Sequence, residues 1–286
     1  EESFFQKDDN GKLFTQILKE KGVKIGIKLD RGLLEIPGSK DEKTTLGLDD
    51  LSARCKKFAE GGAEFAKWRC VLRIDEHDHT PSEMSYIDVS QTLAKYALIC
   101  QQHGIVPIVE PEVLRDGDHD LKAAQRVTEK ILSMLYSALS LYGVYLEGTL
   151  LKPNMVTPGQ DCKTKYTPEQ VAEATVKALS RTVPPCVPGI TFLSGGQSEK
   201  DASIHLNAIN AIKGKNPWSL TFSFARALQN SAVLVWSGKK DRVKEGQKIL
   251  QERIAFNSLA SVGKYEASKD SGKYVEGSLY AAGHSY

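Results

Sequence analysis

Residues 105–113 read IVPIVEPEV, an apolar run that becomes ionisable at its C-terminal end. Side chains alternate along a strand, so Glu110 and Glu112 share one face while Pro111 points away. Proline cannot donate to a central ladder, so the strand is expected to end at about Pro111. Similar short runs occur at residues 23–29, 65–74, 148–151, 189–193 and 219–224, several of them bounded by Gly or Pro. Between these runs lie segments of helical spacing, at residues 48–60, 90–102, 123–142, 167–180, 198–210, 226–236 and 242–259. Gly61-Gly62 and His103-Gly104 supply stops for the first two, and Thr167-Pro168 supplies a cap and first turn for the fourth. Strand–helix alternation over nearly the whole chain predicts an α/β fold, a parallel sheet with helices outside. Residues 263–286 carry no periodic apolar face and read as a mobile tail.

Composition narrows the function. The 286 residues hold 38 Lys+Arg against 36 Asp+Glu, a net charge of +2, with 41% hydrophobic residues. Enough apolar side chain is present to offset chain entropy, and the near-neutral balance argues against nucleic acid or a polybasic membrane patch as the main partner. No apolar stretch approaches the roughly 20 residues of a membrane helix. The 5 cysteines are dispersed and form no CxxC pair, which points to reduced thiols, an intracellular compartment and no zinc site. The chain opens at Glu1 with neither a methionine nor a leader pattern, and so is expected to begin partway through a longer protein.

Four apolar runs contain or end at ionisable residues on one face, as active sites on parallel sheets do. Glu110 and Glu112 suit a general acid/base pair, or else a solvated strand end. Lys152 follows the apolar Leu150-Leu151 and precedes Pro153; partial desolvation there favours the neutral, nucleophilic amine that Schiff-base chemistry needs, although a snorkelling lysine fits the same position. Lys67 and Arg69 share one face of FAKWRCVLRI, with Trp68 on the other, and Lys28 and Asp30 share a face of IGIKLDRG. Each of these alone could be an exposed charge pair of little worth. FLSGGQS at residues 192–198 is a strand, a glycine turn and a helix start, so Ser194, Gly195 and Gly196 offer backbone donors to an anion. Ser223 and Arg226 stand at the next strand–helix junction, and arginine forks onto phosphate. Adjacent phosphate-ready junctions are the pattern of the last two loops of many (β/α)8 barrels. The acidic loop IDEHDHTP, with His77 and His79, lacks ligand geometry for a metal.

Glu110-Pro111-Glu112, LLKPNMV around Lys152, FLSGGQSE at residues 192–199, NAIN at 207–210 and ARALQ at 225–229 occur in order, and together they closely resemble class I fructose-bisphosphate aldolase from residue 1 to Tyr286. The resemblance implies a TIM (β/α)8 barrel over residues 1–262, a tail over 263–286, a cytoplasmic homotetramer, no metal or other cofactor, and contacts with actin-type filaments. It implies reversible cleavage of fructose 1,6-bisphosphate, with Lys152 forming the Schiff base, Glu110 as acid/base, Glu112 as its companion, and Lys67 in the catalytic centre. Ser194, Gly195, Gly196, Ser223 and Arg226 match the first phosphate site, and Lys28 and Arg69 lie near the second. Tyr286 matches a terminal tyrosine that swings over the site.

Two departures from the family pattern carry expectations. Ala225 stands where the family has glycine, and its methyl is expected to weaken phosphate binding modestly. The family's first two strands, with an aspartate and phosphate ligands, have no counterpart here, which predicts an N-terminally incomplete barrel of about six of eight βα units. A catalytically impaired aldolase-derived scaffold is the alternative function, and a transaldolase-like barrel a further one disfavoured by two phosphate sites.

Overall fold

The computed structural model describes residues 1–214, 216–270 and 277–281. Six strands pair in parallel in the order β1 (Gly26–Lys28), β4 (Phe65–Leu72), β5 (Val106–Val113), β6 (Leu150–Leu151), β7 (Gly189–Phe192) and β8 (Ser219–Phe222). Within this sheet successive strands are neighbours, with helices as the crossovers: α2 (Leu51–Glu60), α3 (Glu83–Gln102), α4 (Leu121–Leu141), α5 (Pro168–Thr182) and α6 (Glu199–Ala211); α7 (Arg226–Trp236) follows β8. Two further strands, β2 (Leu33–Glu35) and β3 (Lys43–Thr45), form an antiparallel ribbon. It is tied to β4 through the Thr45 hydroxyl, which donates to the Arg69 carbonyl at 2.9 Å.

The expected count of about six βα units is therefore corrected: the described residues hold eight strands and eight α-helices. The ribbon and α1 (Phe14–Glu20) escaped the sequence reading because the strands are three residues long and partly exposed and the helix buries no side chain. α8 (Val243–Ala260) packs against α7 and α6. No helix among the described residues is long and apolar enough to cross a membrane.

The core lies between the sheet and its helices. Trp68, fully buried on the outer face of β4, meets Tyr96 of α3 with ring centroids 5.3 Å apart. Burial of one such aromatic contributes roughly 1.5–3 kcal/mol. Its neighbours Lys67 and Arg69 are thereby forced onto the opposite face. Local signals act as read: Thr167 and Gln170 complete a capping box at α5, and the Ser82 and Asp120 side chains cap α3 and α4.

β5 corrects the expected strand end. It continues through Pro111, paired with Cys70, as far as Val113. Odd-numbered residues of β5 turn their backbone groups toward β6, since Lys152 N–H donates to the Val109 carbonyl at 2.8 Å and Val113 N–H to the Asn154 side chain at 3.0 Å. The N–H that Pro111 lacks falls between these two bonds, beyond the two-residue β6, so the ladder with β4 is intact.

Candidate active site

Charged side chains emerge at the C-terminal ends of four adjacent strands. Lys28 donates to Asp30 Oδ1 at 2.5 Å, and Asp30 Oδ2 lies 3.5 Å from Lys67 Nζ. Lys67 Nζ is 2.9 Å from Glu110 Oε2, and the other oxygen of Glu110 is 3.1 Å from Lys152 Nζ. Arg69 Nε donates to Glu112 Oε2 at 2.5 Å. The Asp30 and Glu110 side chains are each 2% exposed, so the charges are held by one another rather than by water. Burial pushes the Glu112 carboxyl above its ordinary range, with Glu110 adding to the rise while Arg69 and Lys152 oppose it.

The loops after β7 and β8 complete the cleft. Gly195 and Gly196 have φ of 58° and 76°, a region glycine enters without strain. A Cβ on Gly196 would stand 2.9 Å from the Tyr280 Cα, so the residue there must also be small. Ser198 caps α6 through Asp201 N–H, and Ser223 N–H donates to the Phe192 carbonyl. Ser194, Gly195, Gly196, Ser223 and Arg226 line one cleft with Arg69, Glu110, Glu112 and Lys152. Ala225 also lines it and sits at φ −100°. Its methyl therefore adds no left-handed strain.

Residues 277–281 cross this cleft. Leu279 N–H donates to the Gly196 carbonyl at 2.9 Å, Arg226 donates to the Leu279 carbonyl, and the Tyr280 hydroxyl donates to Asp116 at 2.7 Å. Burial and then the Asp116 contact push the Tyr280 phenol up to about 12.

The expected residues converge, with Lys28 joining through Asp30. Tyr286 lies outside the described residues. Asp30 was legible only as a partner for Lys28, yet it also touches Lys67 and accepts the Arg69 N–H at 3.2 Å. Asp116 and Tyr280 were missed. A strand extended through Pro111 would have brought Asp116 to the cleft, but nothing local marks Tyr280.

Residues 1–286 match the family model described as fructose-bisphosphate aldolase class-I. Fructose-bisphosphate aldolase C of Homo sapiens is 56% identical over 285 residues, covering 100% of this chain and 78% of the relative. The fructose-bisphosphate aldolase of Schistosoma mansoni is 54% identical over 286 residues, with 78% of it covered. A solved structure of fructose-bisphosphate aldolase from Plasmodium falciparum, in complex with TRAP and a small-molecule inhibitor, superposes with a TM-score of 0.91 at 50% identity, covering 93% of this chain and 76% of that one. The match through residues 1–286 corrects the expectation of a family fragment lacking its first two strands, and the superposition corrects that of an incomplete barrel.

Proposed function

We propose, for a chain that belongs to the class-I fructose-bisphosphate aldolases, that its reversible cleavage of fructose 1,6-bisphosphate to dihydroxyacetone phosphate and glyceraldehyde 3-phosphate proceeds through a Schiff base at Lys152. This is the lyase step of glycolysis, run backwards in gluconeogenesis. The observation that carries the reading is Glu110, whose two oxygens lie 3.1 Å from Lys152 and 2.9 Å from Lys67.

The Lys152 amine attacks the ketone carbon, and the carboxylate beside it carries the amine proton to the alkoxide, giving the carbinolamine; Glu110 then takes up a second proton from solvent. Glu110 returns a proton to the carbinolamine hydroxyl, which leaves as water and yields the iminium. The iminium is the electron sink: a base removes the C4 hydroxyl proton, the C3–C4 electrons flow to nitrogen, and an enamine remains as the aldehyde departs. Protonation of the enamine carbon, assigned to Tyr286, and hydrolysis of the imine release the second product. Lys67 holds the second oxygen of Glu110 at 2.9 Å, and Glu112 holds Arg69 in place. The Ser194–Gly196 loop, Ser223 and Arg226 bind one phosphate, and Lys28 and Arg69 lie at the other. Fixing both ends of the substrate places the ketone at Lys152, and such orientation accounts for a large share of catalysis.

Borohydride added with dihydroxyacetone phosphate should leave a stable adduct on the peptide containing Lys152. An adduct that persists in Lys152→Ala would rule the mechanism out. The same reading includes a barrel over residues 1–262 with a tail over 263–286, a cytoplasmic homotetramer, and contacts with actin-type filaments. Light scattering of the purified chain and filament co-sedimentation test the last two. The TRAP complex of the Plasmodium falciparum relative supports a search for protein partners.

A further inference from the structure

Behind the glycine loop lies a pair of side chains to which no step above assigns a role. Gln197, 4% exposed, sits between the loop and α6. Its Nε2 donates to the Ser194 carbonyl at 2.9 Å, and its backbone N–H donates to the same oxygen at 3.1 Å. Nε2 also lies 3.8 Å from the sulfur of Met155, a fully buried residue three beyond Lys152. On the other side, Gln197 Oε1 is 2.5 Å from Nδ1 of His205, two turns along α6.

The polarity of this chain of contacts is determined. The Ser194 carbonyl can only accept, so the amide must present nitrogen to it and oxygen to His205. Nδ1 of His205 must then carry the proton. Burial holds the imidazole down at about 4, with Arg115 lowering it further and Asp201 and Glu169 opposing, so at neutral pH the ring is the neutral Nδ1–H tautomer. No described residue accepts the N–H groups of Gly195 or Gly196. A carbonyl turned inward and amides without partners leave the donors of the loop for an anion.

We propose that Gln197 and His205 are positioning residues for the phosphate loop: His205 orients the Gln197 amide, and Gln197 pins Ser194 so that the Ser194–Gly196 donors face the cleft beside Lys152. The inference rests on the reading of this loop as a phosphate site. Neither residue touches substrate. Their effect falls on binding of the phosphate in ground and transition state alike, which is the signature of a raised KM at constant kcat.

The test compares Gln197→Leu, His205→Leu and His205→Asn; the last keeps an N–H donor near the Nδ1 position. For fructose 1,6-bisphosphate, Gln197→Leu should raise KM about 10-fold and His205→Leu about 3-fold, with kcat within about 2-fold, as expected for one or two neutral hydrogen bonds. His205→Asn should return KM to near the native value. Borohydride trapping with dihydroxyacetone, which lacks the phosphate, should be unchanged in all three, while the half-saturating dihydroxyacetone phosphate rises. Titration calorimetry with inorganic phosphate should show the same order of weakening. A fall in kcat at constant KM, equal losses for both trapping substrates, or no rescue by His205→Asn would overturn the proposal. If the native chain traps neither substrate, the Lys152 reading fails instead, and the phosphate titration decides the loop proposal alone. Should Gln197→Leu fold poorly, the two His205 variants at their half-buried position carry the comparison.

Discussion

Replacing Arg69 with methionine removes the guanidinium that faces Glu112 at 2.5 Å, with the two side chains 3% and 12% exposed. In the native chain burial already lifts the Glu112 carboxyl above the ordinary glutamate range, and Arg69 is the strongest influence opposing that rise. Loss of the arginine therefore drives the carboxyl further upward. Breaking a buried pair typically costs about 3–5 kcal/mol. A carboxyl raised on folding binds more protons in the native state than in the unfolded one. Its favourable contribution is thus complete below the unfolded value and is lost as pH rises through the folded value. For Arg69→Met that loss extends to higher pH, so the stability gap between native and variant must widen with pH. Urea denaturation should give a small gap near pH 4.5, growing to about 3–5 kcal/mol by pH 8. A gap that is constant or narrows with pH would refute the account of Glu112 as a buried, arginine-held carboxylate.

Other perturbations probe the frame and the strap. Asp270→Asn should destabilise the chain by about 3 kcal/mol, read by thermal unfolding, because Asp270 takes the buried Arg253 at 2.6 Å and the Tyr265 hydroxyl at 2.8 Å. Tyr280→Phe removes the 2.7 Å bond to Asp116 that holds residues 277–281 over the cleft. Inorganic phosphate should then bind about 2–10-fold more tightly by calorimetry, the worth of one hydrogen bond. Ala225→Gly should change KM for the bisphosphate by less than about 3-fold, since the native φ of −100° involves no left-handed strain for the methyl to impose.

The residues that carry charge at strand ends were legible because period-two alternation is a local property. Once 65–74 is a strand, Lys67 and Arg69 must share a face, and a buried Trp68 decides which. Phosphate-ready turns were legible for the same reason, since glycine pairs and helix starts are contiguous in sequence. What was not legible depends on partners distant in the chain. Pro111 could remain inside β5 only because β6 is two residues long, which nothing in residues 105–113 reveals. Tyr280 reaches Asp116 across 164 positions. The ribbon of β2 and β3 is stabilised by contact with β4 rather than by an apolar pattern of its own.

The parallel register also explains why carboxylates are needed in a site built to bind anions. Lys28 and Lys67 are Cα partners across β1 and β4, so the alignment that places cations at the strand ends sets them side by side. Two ammonium groups roughly 5 Å apart at an effective dielectric near 20 repel by about 3 kcal/mol. Asp30 and Glu110 relieve this by interleaving: along the sheet the order is Lys28, Asp30, Lys67, Glu110, Lys152, each contact joining opposite signs. With Arg69 and Glu112 included, four cations meet three carboxylates, and one net positive charge remains at a cleft whose loops add the positive ends of α6 and α7. Substituting Asp30 or Glu110 by its amide should therefore do more than delete one carboxylate. It leaves two cations adjacent without a mediator, and their side chains are pushed apart. When the carboxylate is Glu110, Lys67 and Lys152 lose their shared partner, and Lys152 lacks the group that expels water. Kinetically, such a variant should accumulate carbinolamine rather than iminium, whereas a variant of Asp30 should not.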